Sequence, residues 1–578
     1  MALPPGISFS LKCLPSILAP LLGTYVLKWL GETYLNMHVS RWVSVSLCLF
    51  SFPLIFTARV QYKVLADRRA AAARGATLPP TVPSSIGGID IVRSGMRNRG
   101  TEYPGEPLAQ LTKSLGNVYC LRILFESRFF TCEPEHMRIL LATEFNSFEK
   151  GEDTRVVFEP LLGLGIFSSD GELWKFHRAM TRPFFKRDRL SDFELFDRHS
   201  NDAVSAIKER LREGYPVDFQ DVVSRFAMDS SSEFLFGRSA HTLAAGLPYP
   251  SHVTTTTNTN ASNAFAEAIN QAQLITMHRG ALGAAWPVTE FWHDRLAEPI
   301  RVVHEFLDPI LSEAVARRGA DNGEKQVAME KHTEDREVQE GESLVDHLLH
   351  YTQGDTTASL LTFAIYMLTD HPRVLAKLRA EILNTVGPLR APTPDDFRDM
   401  KYLRAVLNET LRLYPPVPIN LRSTTAPVIF PSMTGGTPFY LPTKSKVIYS
   451  VIVMHRRTDL WGPDALQWDP ERFIDERLHK YLTPNPFIFL PFNAGPRICI
   501  GQQFAYHEAS FFLVRLLQNF SNISLVPTAQ PIAYTPSDTT DDPLGWKRSE
   551  RLAVKTHLTM FIEGGMWVSM VPAENVVA

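Results

Sequence analysis

The sequence is poor in cysteine and carries no strong charge of either sign. Five of its 578 residues are cysteines, and none of them forms a Cys-x-x-Cys pair; they are Cys13, Cys48, Cys120, Cys132 and Cys499. A scattered, odd-numbered set argues against a disulfide framework, indicates a reducing compartment and gives no zinc-binding pattern. The net charge is -3, so neither a nucleic-acid-binding surface nor an acidic tail is predicted.

Internal repeats are lacking too, as is any motif that would bind a flavin or a nicotinamide nucleotide. The length allows one large domain or two to three ordinary ones, because single hydrophobic cores usually stop growing near about 250–300 residues.

Long apolar runs are present, and they lie within the first sixty residues. Residues 42–58 carry no charge and are about long enough to cross a bilayer. The basic cluster that follows would stay cytoplasmic under the positive-inside rule; it comprises Arg59, Lys63, Arg68, Arg69 and Arg74. The alternative, a buried core helix, is disfavoured by the length and the basic flank. An earlier run, residues 14–27, is interrupted by Pro15 and Pro20, and we interpret it as a second span, a re-entrant piece or a signal-like segment.

Downstream of a stiff, helix-breaking hinge at residues 78–83, the pattern predicts a mainly helical protein with a smaller β part. Apolar residues have helical spacing over 395–414 and 501–520. Near the end, Gly564 and Gly565 lie between two short apolar segments and give the signal of a two-residue hairpin. Residues 254–262 and 319–342 are polar and are predicted to be loops.

One cysteine lies in a loop whose composition points to chemistry. Residues 492–501 read FNAGPRICIG, which presents Cys499 just before a predicted helix. The N–H groups and the positive dipole end of that helix favour a thiolate, and Arg497 can offer a bidentate fork to a carboxylate. A thiolate beside such an arginine is what a haem with propionate groups would need. For a cysteine in isolation, a small buried hydrophobe is the ordinary interpretation.

The same ten residues match the Phe-x-x-Gly-x-Arg-x-Cys-x-Gly signature, so the chain resembles the cytochrome P-450 family of haem-thiolate monooxygenases. In that family the thiolate is the axial iron ligand of haem b (iron protoporphyrin IX) and favours O–O cleavage. The resemblance implies that Cys499 binds the metal, that Arg497 contacts a propionate and that Phe492 packs against the ligand loop. We therefore expect the cytochrome P-450 fold, mainly α with a smaller β part (α+β), as a haem domain at 78–578 behind an anchor and linker at 1–77.

Other motifs follow the family's order. Glu409 and Arg412 resemble its Glu-x-x-Arg pair, and the segment 468–473 (WDPERF) resembles the loop whose arginine, here Arg472, completes a buried network. The resemblance implies that these three residues are structural. An exposed helix pair is the alternative for the first two.

Three further residues are expected at the propionates. Trp174 and Arg178 form a Trp-x-x-x-Arg pair on one helix face. Arg422 lies where the family commonly places a propionate-binding arginine. An ordinary surface or half-buried arginine is the alternative for each.

The distal side of the family's haem carries an acid and an alcohol. Residues 354–357 (GDTT) resemble the end of the Ala-Gly-x-Asp-Thr-Thr element, which implies that Thr356 hydrogen-bonds dioxygen and that Asp355 helps to deliver protons. The alternative is an N-cap cluster at a helix start. Relative to the family, about 15–18 residues are absent before Gly354, or roughly 25 Å of helix. We expect a shortened or disrupted central helix that ends near Thr369, with residues 343–353 as a replacement segment.

Four segments resemble the fungal microsomal branch that hydroxylates alkanes and fatty acids; they are 174–185 (WKFHRAMTRPFF), 354–372 (GDTTASLLTFAIYMLTDHP), 451–465 (VIVMHRRTDLWGPDA) and 487–505 (FIFLPFNAGPRICIGQQFA). The resemblance implies an apolar, chain-like substrate. Electrons would come from NADPH through a separate NADPH-cytochrome P-450 reductase, with a cytochrome b-type protein as a further donor. The catalytic domain would face the cytoplasm at the endoplasmic reticulum membrane, held by the lipid bilayer. Candidate pocket residues are Phe158, Leu161, Leu162, Ile419 and Asn420, with the turn near Gly564.

Two other functions stay open at this point. One is a haem-binding protein whose catalysis is impaired by the missing segment. The other is a haem-thiolate isomerase or peroxide user that needs no reductase. Substrate-dependent NADPH consumption with a reductase separates both from a monooxygenase.

Overall fold

The computed structural model describes residues 3–36, 40–97, 102–185, 193–251, 253, 261–321, 351–530, 542–548 and 550–573. Its α-helices are, in order, α1 (Pro5–Tyr34), α2 (Arg41–Ala72), α3 (Ile89–Arg97), α4 (Glu106–Leu115), α5 (Pro134–Arg138), α6 (Glu152–Leu162), α7 (Gly171–Thr181), α8 (Phe193–Arg212), α9 (Phe219–Phe236), α10 (Ala261–Leu282), α11 (Ala297–Asp321), α12 (Tyr351–Asp370), α13 (Pro372–Thr385), α14 (Asp396–Asp399), α15 (Lys401–Leu413), α16 (Val451–His455), α17 (Thr458–Trp461) and α18 (Gln502–Asn519). The expectation of a mainly helical fold is confirmed.

Strands form a smaller part of the molecule. They are β1 (Val118–Ile123), β2 (Glu126–Thr131), β3 (Phe148–Glu149), β4 (Val217–Asp218), β5 (Ile419–Thr424), β6 (Val428–Phe430), β7 (Phe439–Leu441), β8 (Lys446–Ser450), β9 (Phe520–Leu525), β10 (Val554–Thr556), β11 (Met560–Ile562) and β12 (Trp567–Pro572). The largest sheet has the order β1-β2-β8-β5-β3, and a second has the order β4-β12-β9. Two pairs, β6-β7 and β10-β11, complete the described β structure.

Helix α12 runs through the centre of the main core. It packs against α9, α15 and α18, and residues 357–368 of it are buried throughout. A helix that is apolar on all sides must be enclosed by protein, so α12 fixes the positions of its neighbours.

The helix predicted at 395–414 is divided in the structure. It consists of α14 and α15, with Met400 between them at a ψ of 75°, outside the helical range. The cause lies in α13, where the Glu381 carboxylate accepts hydrogen bonds of 2.8 Å from the backbone N–H groups of both Tyr402 and Leu403. This carboxylate caps α15 from outside, so the second helix begins afresh. The helix predicted at 501–520 is confirmed as α18.

The predicted hairpin at Gly564 and Gly565 is wrong. Strand β11 pairs with β10, whereas β12 pairs with β4 and β9. Both glycines have positive φ, 79° and 87°, and a Cβ on Gly565 would approach Asp218 Oδ2 to 2.2 Å. The glycine pair therefore turns the chain from one sheet to another, close against β4.

The apolar N-terminal run forms a continuous helix in spite of its prolines. Helix α1 passes through Pro15 and Pro20, and α2 passes through Pro53. Most side chains of residues 42–58 are exposed, so the alternative of a buried core helix is not what the structure shows. Both helices are long and apolar enough to cross a membrane.

The hinge segment 78–83 is held by the sheet. The N–H of Val82 donates to the Cys120 carbonyl, and the N–H of Thr77 donates to the Pro438 carbonyl, both at 2.9 Å. Of the two polar loops expected from the sequence, residues 254–260 and 322–342 lie outside the described residues. Residues 261–262 begin α10, and 319–321 end α11.

Candidate active site

Cys499 lies in a turn directly ahead of α18. Its N–H donates to the Phe492 carbonyl at 2.9 Å, and Phe492 packs on Tyr506 with ring centroids 5.2 Å apart. Gly495 has a φ of 66°, and a Cβ there would lie 1.9 Å from the Leu141 carbonyl oxygen. Only glycine can make this approach, which fixes the loop against the short helical segment Ile139–Thr143 that follows α5.

The electrostatic environment of the thiol is mixed. Burial raises the pKa of Cys499, whereas a hydrogen bond from the Gly501 N–H and the positive charge of Arg178 act in the opposite direction. The Gly501 N–H and the Arg178 charge both favour a thiolate, as expected for a metal-binding cysteine at a helix start.

A cluster of basic side chains lies beside this loop. Arg497 donates to Asp170 Oδ1 at 2.6 Å, while its Nε and Nη1 atoms are buried with no hydrogen-bond partner among the described residues. Burial, with the nearby Arg422 charge, lowers the pKa of Arg497 to about 10. Burial and the same two guanidinium groups lower the pKa of Lys150 well below its ordinary value. In this cluster, both burial and the repulsion between neighbouring positive charges disfavour the charged forms of Arg497 and Lys150.

The carboxyl groups nearby do not balance that charge. Asp170 accepts from Arg497 and from the backbone N–H groups of Lys150 and Gly151. Glu149 has its pKa raised by burial and by the Asp170 charge, which weakens its value as a counter-ion. An anion with two or more acceptor oxygens would satisfy the unmatched N–H groups of this cluster.

Trp174 and Arg178 of α7 also contact the loop. The Arg178 guanidinium carbon lies 5.7 Å from the centroid of the Trp174 ring, and that of Arg497 lies 4.7 Å from the same centroid. Arg178 also donates to the Ile498 carbonyl at 3.1 Å. The predicted pair is therefore brought to the cysteine loop. Arg422 is buried on β5 and lies over the Tyr449 ring.

The three residues expected to form a network do form one in the structure. Arg412 makes a bidentate pair with Glu409, with both N···O distances 2.7 Å and both side chains fully buried. Arg472 reaches the same carboxylate at 3.4 Å and pairs with Asp464 at 2.9 Å. The remaining N–H groups of Arg412 donate to the carbonyls of His455, Ala465 and Gln467. The alternative of an exposed helix pair is wrong for Glu409 and Arg412.

His455 is a member of this network that sequence reasoning missed. Its Nε2 accepts from the backbone N–H of Leu490 at 3.0 Å, and its Nδ1 lies 3.0 Å from the Arg412 carbonyl oxygen. Since an N–H can only donate, Nε2 is unprotonated and Nδ1 carries the proton. Burial lowers the pKa of His455 to about 3, so the ring is neutral. This histidine joins α15 to the segment that leads into the cysteine loop.

The distal candidates lie inside α12, so the N-cap interpretation of Asp355 is wrong. Gln273 of α10 donates its side-chain amide N–H to Asp355. Burial raises the pKa of Asp355 to about 6, against the effect of that hydrogen bond. Thr356 follows about 100° further around the helix and is half-buried. Asp355 thus faces α10, and Gln273 is a second residue that the sequence did not indicate.

The next residue faces the opposite side. Thr357 is buried and contacts Glu508 of α18, a carboxyl group whose pKa is raised to about 8 by burial. Glu508 also accepts from Ser230 of α9. Helix α12 is therefore held on one side by α10 and on the other by α9 and α18.

The expected replacement segment falls partly outside the described residues. Of residues 343–353, the structure describes 351–353, which form the start of the described part of α12. The helix ends at Asp370, one residue beyond the expected end. Residues 343–350 lie outside the described residues, so the expectation of a shortened or disrupted helix before Tyr351 stays a prediction.

These residues fit a haem. A cysteine at a helix start offers the thiolate, Gly495 allows the close approach of the loop, and the Arg497 N–H groups without partners suit propionate oxygens. Among the pocket candidates, Phe158, Leu161 and Leu162 lie on α6, which packs against α10, and Ile419 and Asn420 lie on β5.

Comparison with known proteins agrees with this arrangement. The model of the family described as Cytochrome P450 matches residues 92–537, which include every site residue above. The chain is 34% identical over 452 residues to cytochrome P450 monooxygenase himC of Aspergillus japonicus, covering 76% of this chain and 77% of that protein. It is 34% identical over 460 residues to cytochrome P450 52A3-A of Candida maltosa, covering 76% and 84%. It is also 34% identical over 428 residues to cytochrome P450 52A1 of Candida tropicalis, and the alignment covers 71% of this chain and 75% of that protein.

Proposed function

The chain belongs to the cytochrome P450 family and is a monooxygenase, and on that premise we propose that it inserts one oxygen atom of O2 into an apolar, chain-like substrate. Alkanes and fatty acids are the first candidates and xenobiotics the next, because the chain resembles the branch that hydroxylates alkanes and fatty acids. The pocket candidates Phe158, Leu161, Leu162 and Ile419 are apolar, which supports a substrate of this class.

The observation that carries the proposal is the cysteine loop with its basic cluster. Cys499 would hold the iron, Arg497 and Arg422 would hold the propionates, and Trp174 with Arg178 would close the same side. Haem with a thiolate ligand supplies the activation of dioxygen when it is bound. The protein supplies the binding, the exclusion of water and the protons.

Proton delivery is assigned to Asp355. A carboxyl group with a pKa of about 6 exchanges protons readily near neutral pH, as a general acid must. The Gln273 amide fixes its orientation toward α10. Thr356, on the next position of the helix, would present its hydroxyl to the oxygen substrate.

Electrons are proposed to come from NADPH through a separate reductase, with a cytochrome b-type protein as a further donor. The chain would lie in the endoplasmic reticulum membrane with its catalytic part in the cytoplasm. The basic cluster after residue 58 supports this orientation under the positive-inside rule.

The test combines a spectrum with product analysis. The full chain, reconstituted with an NADPH-dependent reductase in lipid nanodiscs, should give the reduced-CO absorption of a haem-thiolate protein and hydroxylated products from a panel of alkanes, fatty acids and aromatics. The Cys499→Ala variant should lose that absorption. Retention of the thiolate spectrum by this variant would show that another residue binds the iron.

A second candidate function rests on the shortened sequence before Gly354. If about 15–18 residues of the central helix are missing, one face of the haem pocket is incomplete, and the protein would bind haem yet turn over slowly. Turnover with NADPH at a rate ordinary for an enzyme, about 1 s⁻¹ or above, would exclude this candidate. A normal reduced-CO spectrum with NADPH consumption independent of substrate would support it.

A further inference from the structure

The two apolar helices form a hairpin. Helices α1 and α2 are separated by residues 35–40 alone, and they pack against each other. Helices joined by such a short connection and packed together run antiparallel. The far ends of the hairpin, near Pro5 and Ala72, therefore point in the same direction.

Each helix carries an uncharged stretch of nearly membrane thickness. Residues 13–27 and 42–58 contain no charged side chain, and they extend over about 22 Å and about 26 Å at 1.5 Å per residue. The hydrocarbon core of a bilayer is about 30 Å thick, and the side chains of Lys12 and Lys28 can extend the first stretch toward both interfaces. Leu27 and Leu49 are 69% and 68% exposed, so protein does not cover these surfaces.

The start of α1 is attached to the catalytic domain. The Gly6 N–H donates to the Phe291 carbonyl at 3.1 Å, and a Cβ on Gly6 would lie 2.3 Å from the Phe291 ring. Phe56 of α2 meets the domain independently, because its ring packs edge-on against Phe125 with centroids 4.8 Å apart. Both helices thus touch the same domain: α1 at its start, and α2 near the end of its uncharged stretch, which an antiparallel hairpin places on the same side as the start of α1.

Exposed apolar residues surround both attachment points. Trp292, next to Phe291, is 71% exposed, and Ile86, close to the Phe125 contact, is 82% exposed. Large apolar side chains that are open to solvent beside a membrane helix indicate the level at which the domain meets lipid.

We propose that α1 and α2 cross the bilayer twice, and that this hairpin returns the start of α1 to the side of the catalytic domain, where it docks on Phe291. The charges agree with this topology. The basic cluster that follows residue 58 lies on the domain side together with Lys12. The far side carries Lys28, which is paired with Glu32 at 3.7 Å, and Arg41, so the excess of basic residues is on the domain side. The inference is independent of the chemistry proposed for the haem site.

Topology is tested with the full chain synthesised in the presence of endoplasmic reticulum microsomes. One form carries an epitope tag ahead of Met1, and another carries a long flexible insert with Asn-x-Thr acceptors between α1 and α2. The hairpin predicts that added protease removes the tag and that the insert becomes glycosylated. A protected tag with a glycosylated insert would mean that α2 alone crosses, and a protected tag with an unglycosylated insert would mean that α1 alone crosses. An accessible tag with an unglycosylated insert would mean that neither helix crosses; each of these results overturns the proposal.

Docking is tested by hydrogen exchange of the full chain in nanodiscs. Gly6→Leu should increase exchange about tenfold in the segments around residues 6 and 291, since it breaks their hydrogen bond and contact. Gly23→Leu is the matched control, because no atom outside its helix lies within 4 Å of a Cβ at that position. Equal exchange in Gly6→Leu and Gly23→Leu would refute the docked end of α1.

Discussion

Replacement of His455 gives a quantitative test of the network beneath the cysteine loop. The imidazole satisfies two buried backbone groups, the Leu490 N–H and the Arg412 carbonyl. In His455→Phe both groups lose their partner, and each such loss costs about 1–3 kcal/mol. We therefore expect the free energy of unfolding at pH 7 to fall by about 2–6 kcal/mol, a large share of an ordinary stability of about 5–15 kcal/mol.

The pH dependence of stability gives a second measurement of the same residue. The folded pKa of His455 is about 3, below the ordinary value of 6.5, so the unfolded chain binds a proton that the folded chain refuses. The resulting loss of stability is absent well above pH 6.5 and grows as the pH falls toward 3. Between pH 7 and pH 5 it should cost about 2 kcal/mol of stability. His455→Gln has no titrating ring and should lack that loss.

Both quantities come from urea unfolding of the haem-loaded full chain in detergent, followed by tryptophan fluorescence. The decisive comparison is the difference between wild type and His455→Gln at the two pH values, because other titrating groups cancel in it. Coinciding pH profiles of the two proteins would refute the assignment of a buried, neutral imidazole. A cost below about 1 kcal/mol for His455→Phe would refute the role of its two hydrogen bonds.

Three further outcomes are expected. Removal of residues up to Ala76 should shift the protein toward the soluble fraction with its haem spectrum intact, and tight membrane binding of a folded truncate would contradict the position of the anchor. Glu409→Ala should lose about 3–5 kcal/mol or fail to retain haem, since it leaves a buried charge uncompensated. Glu298→Ala, at an exposed ion pair, should leave the stability and the haem content nearly unchanged. Gln273→Leu removes a hydrogen bond that lowers the pKa of Asp355, so the limb near pH 6 in the plot of turnover against pH should shift to higher pH, with KM unchanged. A limb at the same pH in the variant would show that Asp355 does not deliver the proton.

The family and the mainly helical fold could be predicted because their signals are local. The ten residues around Cys499 form a contiguous motif, and the helical spacing of α18 is visible within one segment. The hairpin predicted at Gly564 and Gly565 was wrong because strand pairing depends on residues that are distant in the sequence. Two glycines indicate that the chain turns, but the partners of β11 and β12 lie in other parts of the chain.

The residues that were missed share a different property. Lys150, His455 and Gln273 have no spacing that marks them, and each acquires its importance through contacts made only in the folded chain. Gln273 meets Asp355 across 82 positions, and His455 meets Leu490 across 35.

The external cap of α15 bears on the order in which the molecule folds. Glu381 and Tyr402 are 21 positions apart, whereas Glu409 and the Asp469 N–H that it accepts are 60 apart. Closing the shorter loop costs about 0.9 kcal/mol less chain entropy, so α13 and α15 can assemble before the segment around Asp469 arrives. The Glu409–Arg412 pair is already complete within α15 at that stage. The late segment then meets a carboxylate and a guanidinium that neutralise each other, rather than a bare charge that it would have to desolvate.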